Sequence, residues 1–223
     1  MSRRMTPLLV AVLGAGCVLA ARPRLRRWGA SGAEAAMPLP GDDLVPDATY
    51  RTTRAITIDA PAEDVWPWLV QLGAGRAGFY TYDRLERLAG AGIHNVDRVL
   101  PELQHLTVGD IVPLSALGGP TVVRLEPNRL LLLHDRMDAR RGRSLPDGEP
   151  SPFAMRWTWA FVLRPGGAAA TRLLVRTRAS FAPHPAFTLL VPLVLEPVHF
   201  LMERGMLRGI MARAEQRGMA PAV

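Results

Sequence analysis

Apolar and polar positions change their period several times along the chain. Residues 7–21 (PLLVAVLGAGCVLAA) are uncharged and almost wholly apolar. At 1.5 Å per residue, a helix over this run is about 23 Å long, against a hydrocarbon core of about 30 Å. Met5 and Thr6 extend it slightly, so it reads as a short membrane span. A new rhythm starts at Tyr50. TTRAITIDA alternates and is rich in β-branched residues, which predicts a strand ending near Asp59. The proline and two acids of PAED make a good helix start. Val65, Trp66, Leu69, Val70 and Gly73 then mark one apolar face. They predict a helix over residues 61–72 that Pro67 bends or shortens and that Gly73 and Gly75 end. TYDRLERLAG fits a second short helix, stopped by Gly90.

A meander follows. GDIVPL, PTVVRLEP, NRLLLLHD, MRWTWAFVLRPGG and ATRLLVRTRASF each read as a strand or hairpin arm. Turns are marked by Gly118–Gly119, Pro127–Asn128 and Gly166–Gly167. Residues 137–152 are polar with several Gly and Pro, and read as a mobile loop. The chain closes with a long amphipathic helix over residues 186–216, disturbed by Pro192 and Pro197. Its first half is apolar enough to raise a second span. Glu196, His199 and the two prolines argue instead for a helix packed on the core. The order predicts an α+β fold in which a long C-terminal helix covers one face of a curved antiparallel sheet. A cavity can remain between them.

Composition bounds the partners. With 223 residues, 48% of them hydrophobic, the chain can form one cored domain and an appendage, and is not disordered. The net charge is +7, and every basic residue is arginine. Alanine, glycine, proline and arginine are abundant together, the mark of a compositional bias. Scattered arginines without a recognised motif exclude nucleic acid as the expected partner. A positive surface beside an anionic bilayer suits them better. Arg22, Arg24, Arg26 and Arg27 follow the apolar run, against Arg3 and Arg4 before it. This asymmetry predicts a single-pass anchor in the cell membrane, with the N-terminus outside and the main domain cytoplasmic. A cleaved signal peptide fits the MSRR start but not the arginines that follow. Cys17 is the one cysteine, so no internal disulfide is possible. It reads as a membrane-buried thiol, because Gly14 does not fit a lipoprotein box. The expected organisation is an anchor with a basic flank over 1–27, a Gly-, Ala-, Pro- and Asp-rich linker over 28–48, a domain over 49–218, and a tail over 219–223.

Candidate chemistry is sparse. The five histidines show no metal spacing, and no GxSxG, P-loop or dinucleotide fingerprint occurs, so neither metal nor cofactor is expected. Trp66 lies on the inward stripe, and Trp68 about 200° around the helix from it. Gln71, Tyr80, Tyr82 and Asp83 stand at a corner that can orient a ligand. Asp83 also reads as an N-cap, with Glu86 completing a capping box. Glu102, Gln104, His105 and Asp110 offer acid–base groups, although Asp110 after Gly109 is more simply a turn residue. Arg172, Arg176 and Arg178 share one strand face and read as solvent-facing.

Four stretches resemble the START-like superfamily, also called SRPBCC, with its helix-grip fold. They are TRAITIDAPAEDVWPWLVQLGAGRAGFYTYDRLERL, PELQHLTVGDIVPL, RWTWAFVLRP with TRLLVRTR, and HFLMERGMLRGIMARAE. The similarity covers residues 50–218 and is strongest to bacterial members with an N-terminal apolar segment. The resemblance implies a hydrophobic small molecule or lipid held between sheet and C-terminal helix. Its cavity candidates are Trp66, Leu69, Val70, Gln71, Tyr80, Tyr82, Trp157, Trp159, His199 and Phe200. Two other functions remain open: a polyketide cyclase or dehydratase using the same cavity, and a non-catalytic scaffold with a filled core. No protein partner is indicated.

Overall fold

The structure, a computed structural model, describes residues 5–81, 95–146 and 148–218. It is α+β. Helix α1 (Met5–Arg26) and short helix α2 (Gly32–Ala36) precede strand β1 (Tyr50–Ile58) and helix α3 (Ala62–Val70). Strands β2 (Thr121–Glu126), β3 (Leu130–Asp138), β4 (Arg143–Ser144), β5 (Ala154–Pro165) and β6 (Thr171–Phe181) follow. The chain then enters α4 (Ala186–Leu190), a π-helical turn (Val191–Leu195) and α5 (Glu196–Gly218). The strands form one six-stranded antiparallel sheet in the order β1-β6-β5-β3-β2, with β4 beside β3.

Most elements lie where their period puts them. The exceptions have physical causes. GDIVPL makes only a single bridge, Ile111 to Thr121, since Pro113 has no N–H to continue a ladder. The polar stretch after β3 is pinned rather than loose. Ser144 pairs with Met137 in β4, and the Asp138 carboxylate accepts from the N–H groups of Arg140 and Arg141 and from Ser151. The second short helix predicted over TYDRLERLAG, with Asp83 and Glu86, lies outside the described residues apart from Thr81.

Both faces of the sheet are covered. On the inner face Leu131, Leu133, Phe161, Leu173 and Val175 pack against α3 and the second half of α5, where Met206, Leu207, Ile210 and Ala214 are buried. Burying these side chains removes apolar surface from water, the dominant favourable term in folding. Gly209 lets α5 come down onto the corner after α3, because a Cβ there would lie 2.2 Å from the Tyr80 carbonyl oxygen.

The outer face is not wet. Residues 28–48, read from composition as a linker, cross it as a strap. Leu39, Met37 and Leu44 pack on Leu130, Leu132, Ala160, Val162 and Leu174. The three arginines expected in solvent hold this strap down. Arg176, 3% exposed, donates to the carbonyls of Glu34, Ala35 and Met37 and to the carboxylate of Asp42. Arg178 donates to the Val45 and Pro46 carbonyls, and Arg172 to the Gly29 carbonyl and the Glu34 carboxylate. Strap carbonyls without a ladder partner need donors, and the arginine row supplies them. At Gly29 a Cβ would meet the Ala55 carbonyl oxygen at 2.0 Å, so only glycine lets the strap run this close to β1.

Helix α1 packs on both the π turn and α5. Arg22 donates through Nε and Nη2 to Glu196, at 2.9 and 2.8 Å, and Arg26 donates to the same carboxylate. Pro192 and Pro197 cannot donate to the carbonyls four residues back, and the backbone between them widens into the π turn.

Candidate functional site

A cavity of about 170 Å³ lies between the sheet and the C-terminal helix. Its walls come from β1, β3, β5, β6, the π turn and α5. Met137, Met155, Trp157, Ala179, Phe181 and Leu195 make it apolar. Tyr50, Thr177 and His199 add a polar edge. The Trp157 indole N–H is buried without a hydrogen-bond partner among the described residues. Such a donor costs about 1–3 kcal/mol unless an acceptor reaches it.

The polar edge is the visible end of a buried network. Tyr50 and Arg54 point inward from β1, four residues apart on one strand face. His199 and Glu203 meet them from one face of α5. The Glu203 carboxylate, 2% exposed, pairs with Arg54 and accepts from Trp159 Nε1 at 2.9 Å. His199 Nε2 lies 3.3 Å from Glu203 Oε1, and His199 Nδ1 lies 2.8 Å from the Tyr50 hydroxyl. The carboxylate requires a donor at Nε2, and Nδ1 accepts from the Tyr50 hydroxyl. Burial alone raises the Glu203 carboxyl, but Arg54 and His199 outweigh it and hold it at about 2. Burial pushes the Tyr50 hydroxyl up to about 12, so it is protonated and a donor at neutral pH.

A second, open cleft of about 500 Å³ adjoins the first. Phe181 belongs to both walls. Arg22, Arg26, Thr49, His184 and Thr188 give the cleft its polar character. Two guanidiniums face the single Glu196 carboxylate there, which leaves the site cationic. Among the described residues no group of acidic, histidine and cysteine side chains has the arrangement of a metal site.

The structure separates the residues expected to share one cavity. Trp157 and His199 line it. Trp159 stands behind it, its ring between Trp157 at 6.2 Å and Phe161 at 4.7 Å. Phe200 faces the start of the strap, with its ring edge-on to Trp28 and the Arg54 guanidinium above it. Leu69 and Val70 are solid core, and Trp66 packs half-buried against that core. Gln71 is fully buried and bonded within the protein. It donates to the Tyr80 hydroxyl at 2.8 Å and the Arg98 carbonyl at 3.2 Å, and accepts from the Leu100 N–H and Gln104. Its hydrogen bonds anchor the loop around residue 100. Tyr80 is likewise internal, its ring between Trp68 and the Arg213 guanidinium. Tyr82 lies outside the described residues. Asp110 is the turn residue, accepting from the Thr107 N–H and hydroxyl, while Glu102 and His105 are exposed.

No family model matches the chain, and no curated protein does. Solved structures are similar to it at low scores. A hypothetical protein of Helicobacter pylori is 13% identical, with 80% of this chain and 96% of that one covered and a TM-score of 0.48. Norcoclaurine synthase of Thalictrum flavum is 13% identical over 76% of this chain and 96% of that one, with a TM-score of 0.44. An aromatase/cyclase from a Streptomyces is 15% identical over 78% and 99%, with a TM-score of 0.38. At such identities and scores these likenesses carry no argument about what this chain binds or does.

Proposed function

We propose that the chain is a membrane-anchored binding protein for a small apolar molecule, or for the apolar end of a lipid, seated between the sheet and α5. One observation carries the reading: an apolar cavity between sheet and helix, walled by Met137, Met155, Trp157 and Phe181. Its volume is of the order that holds one benzene-sized ring. The ligand's buried part is therefore a ring or a short chain. A larger polar remainder extends past Phe181 into the cationic cleft. The anchor is residues 7–21, and the arginines after it place the domain on the cytoplasmic side.

The test uses the full chain in mild detergent, by native mass spectrometry and organic extraction. A reproducible apolar adduct is expected, and Ala179→Phe, which fills the cavity, is expected to lose it while keeping the fold. An adduct retained at full occupancy by Ala179→Phe places the ligand elsewhere and overturns the reading.

A second reading rests on the line from Tyr50 through His199 to Glu203. There the chain is an enzyme: a proton of the bound molecule passes to the Tyr50 oxygen while the Tyr50 proton passes to His199 Nδ1, and the imidazolium so formed is held by Glu203. Tyr50→Phe separates the two. Ligand capture survives in the first reading, whereas in the second chemical conversion of the captured molecule stops.

A further inference from the structure

The first half of the C-terminal helix is uncovered on one side. Leu190, Val194, Val198 and Leu201 are exposed and recur at spacings of four, four and three, which draws one stripe along a helix. Leu189 beside them is 68% exposed. Among the described residues, Ala186–Gln216 is the one helix long and apolar enough to cross a membrane, and only 22% of its apolar window is buried. Two features that speak against contact with lipid lose their force in three dimensions. The Glu196 carboxylate is neutralised by Arg22 and Arg26. The His199 ring is turned inward to Tyr50 and Glu203. The outer side carries neither.

Helix α1 supplies the direction. Arg22 and Arg26 meet Glu196, and Trp28 meets Phe200, Arg204 and Arg208. From the last turn of α1 to Trp28 just beyond it, partners advance from Glu196 to Phe200 and Arg208, and α1 itself packs on the π turn that precedes α5, so the chain runs the same way along both. The uncharged run 7–21 therefore points toward the same end as residues 187–195, which are also uncharged. Both runs meet charge at one level, the Arg22–Glu196 clamp.

We propose that residues 187–195 enter the bilayer beside α1, with Leu190 and Val194 among acyl chains and Val198 and Leu201 in the interfacial layer. The occupant of the stripe is the lipid bilayer itself. The excess arginine charge at the clamp, with Arg24 and Arg27 beyond it, lies at headgroup depth and suits anionic lipid. The cationic cleft then opens in the headgroup plane, and the cavity exchanges its ligand with the membrane rather than with water. This inference rests on the anchor reading.

The experiment uses the full chain in vesicles of phosphatidylcholine with phosphatidylglycerol and nitroxide labels at single cysteines. The native Cys17 reports on α1. Leu190→Cys, Val198→Cys and the exposed control Leu117→Cys are made in a Cys17→Ala background. Relaxation by oxygen, which concentrates in lipid, is compared with relaxation by a water-soluble nickel chelate. Oxygen is expected to dominate at positions 17 and 190, both agents to act at 198, and nickel to dominate at 117. If 190 and 198 behave like 117 while 17 is oxygen-dominated, the stripe proposal falls and the anchor stands. If 17 is nickel-dominated as well, both fall.

Discussion

Glu203 is a carboxylate that has exchanged water for protein neighbours. Arg54 neutralises it, while Trp159 and His199 fill its remaining lone pairs. Its folded pKa of about 2 lies below the ordinary 4.5, so it stabilises the folded chain at neutral pH. That contribution is expected to fade as pH falls from about 4.5 through about 2. Thermal unfolding followed over this range checks it, and Glu203→Gln is expected to flatten the dependence. Arg54→Met, which leaves the buried charge alone, is expected to destabilise by about 3–5 kcal/mol. Little of this cluster was legible in the sequence. His199 stood out as a helix histidine near a cavity. Tyr50 and Arg54 look like ordinary strand residues, and their partners are about 150 positions away, a separation no local pattern encodes. Gln71 misleads for the opposite reason. Its position at a corner is visible, but the loop carbonyl and N–H that it serves are not.

At the scale of elements, alternation and helical period place β1, α3, β2, β3, β5, β6 and the C-terminal helix. The strap was missed because its composition, rich in glycine, proline and alanine, is also that of a solvated spacer. The clue lay in the opposite strand. Three arginines on one face of a sheet suit an aqueous surface or a row of unpaired carbonyls equally well, and only the packed structure decides. Arg176 is the central tie. Arg176→Leu leaves the carbonyls of Glu34, Ala35 and Met37 without their donor, at about 1–3 kcal/mol for each that stays buried. Hydrogen exchange is expected to accelerate across residues 29–46 while the amides of β5 remain protected. Equal exchange in variant and parent refutes the role given to this arginine.

At the scale of the molecule, the order of strand, helix, meander and long helix was readable because each element declares its own period. What sequence does not disclose is how α1 joins the rest. The N-terminal segment reads as an appendage, since nothing local ties an apolar helix to a carboxylate 174 positions away. In the structure it belongs to the fold. Residues 22–28 supply two cations to Glu196, a carbonyl to Arg54 Nε from Leu25, and a carbonyl to the Ala55 N–H from Trp28. A chain severed after residue 28 keeps the Glu196 carboxylate, 1% exposed in the whole chain, and has lost both of its cations. It also keeps an arginine short of an acceptor and an edge strand with an open amide. Such a fragment is no soluble edition of the protein. It is a wounded one, with a sticky margin where α1 had packed. A cut there thus dismantles the domain instead of trimming it, and the fold lasts as long as its N-terminal helix stays joined to it.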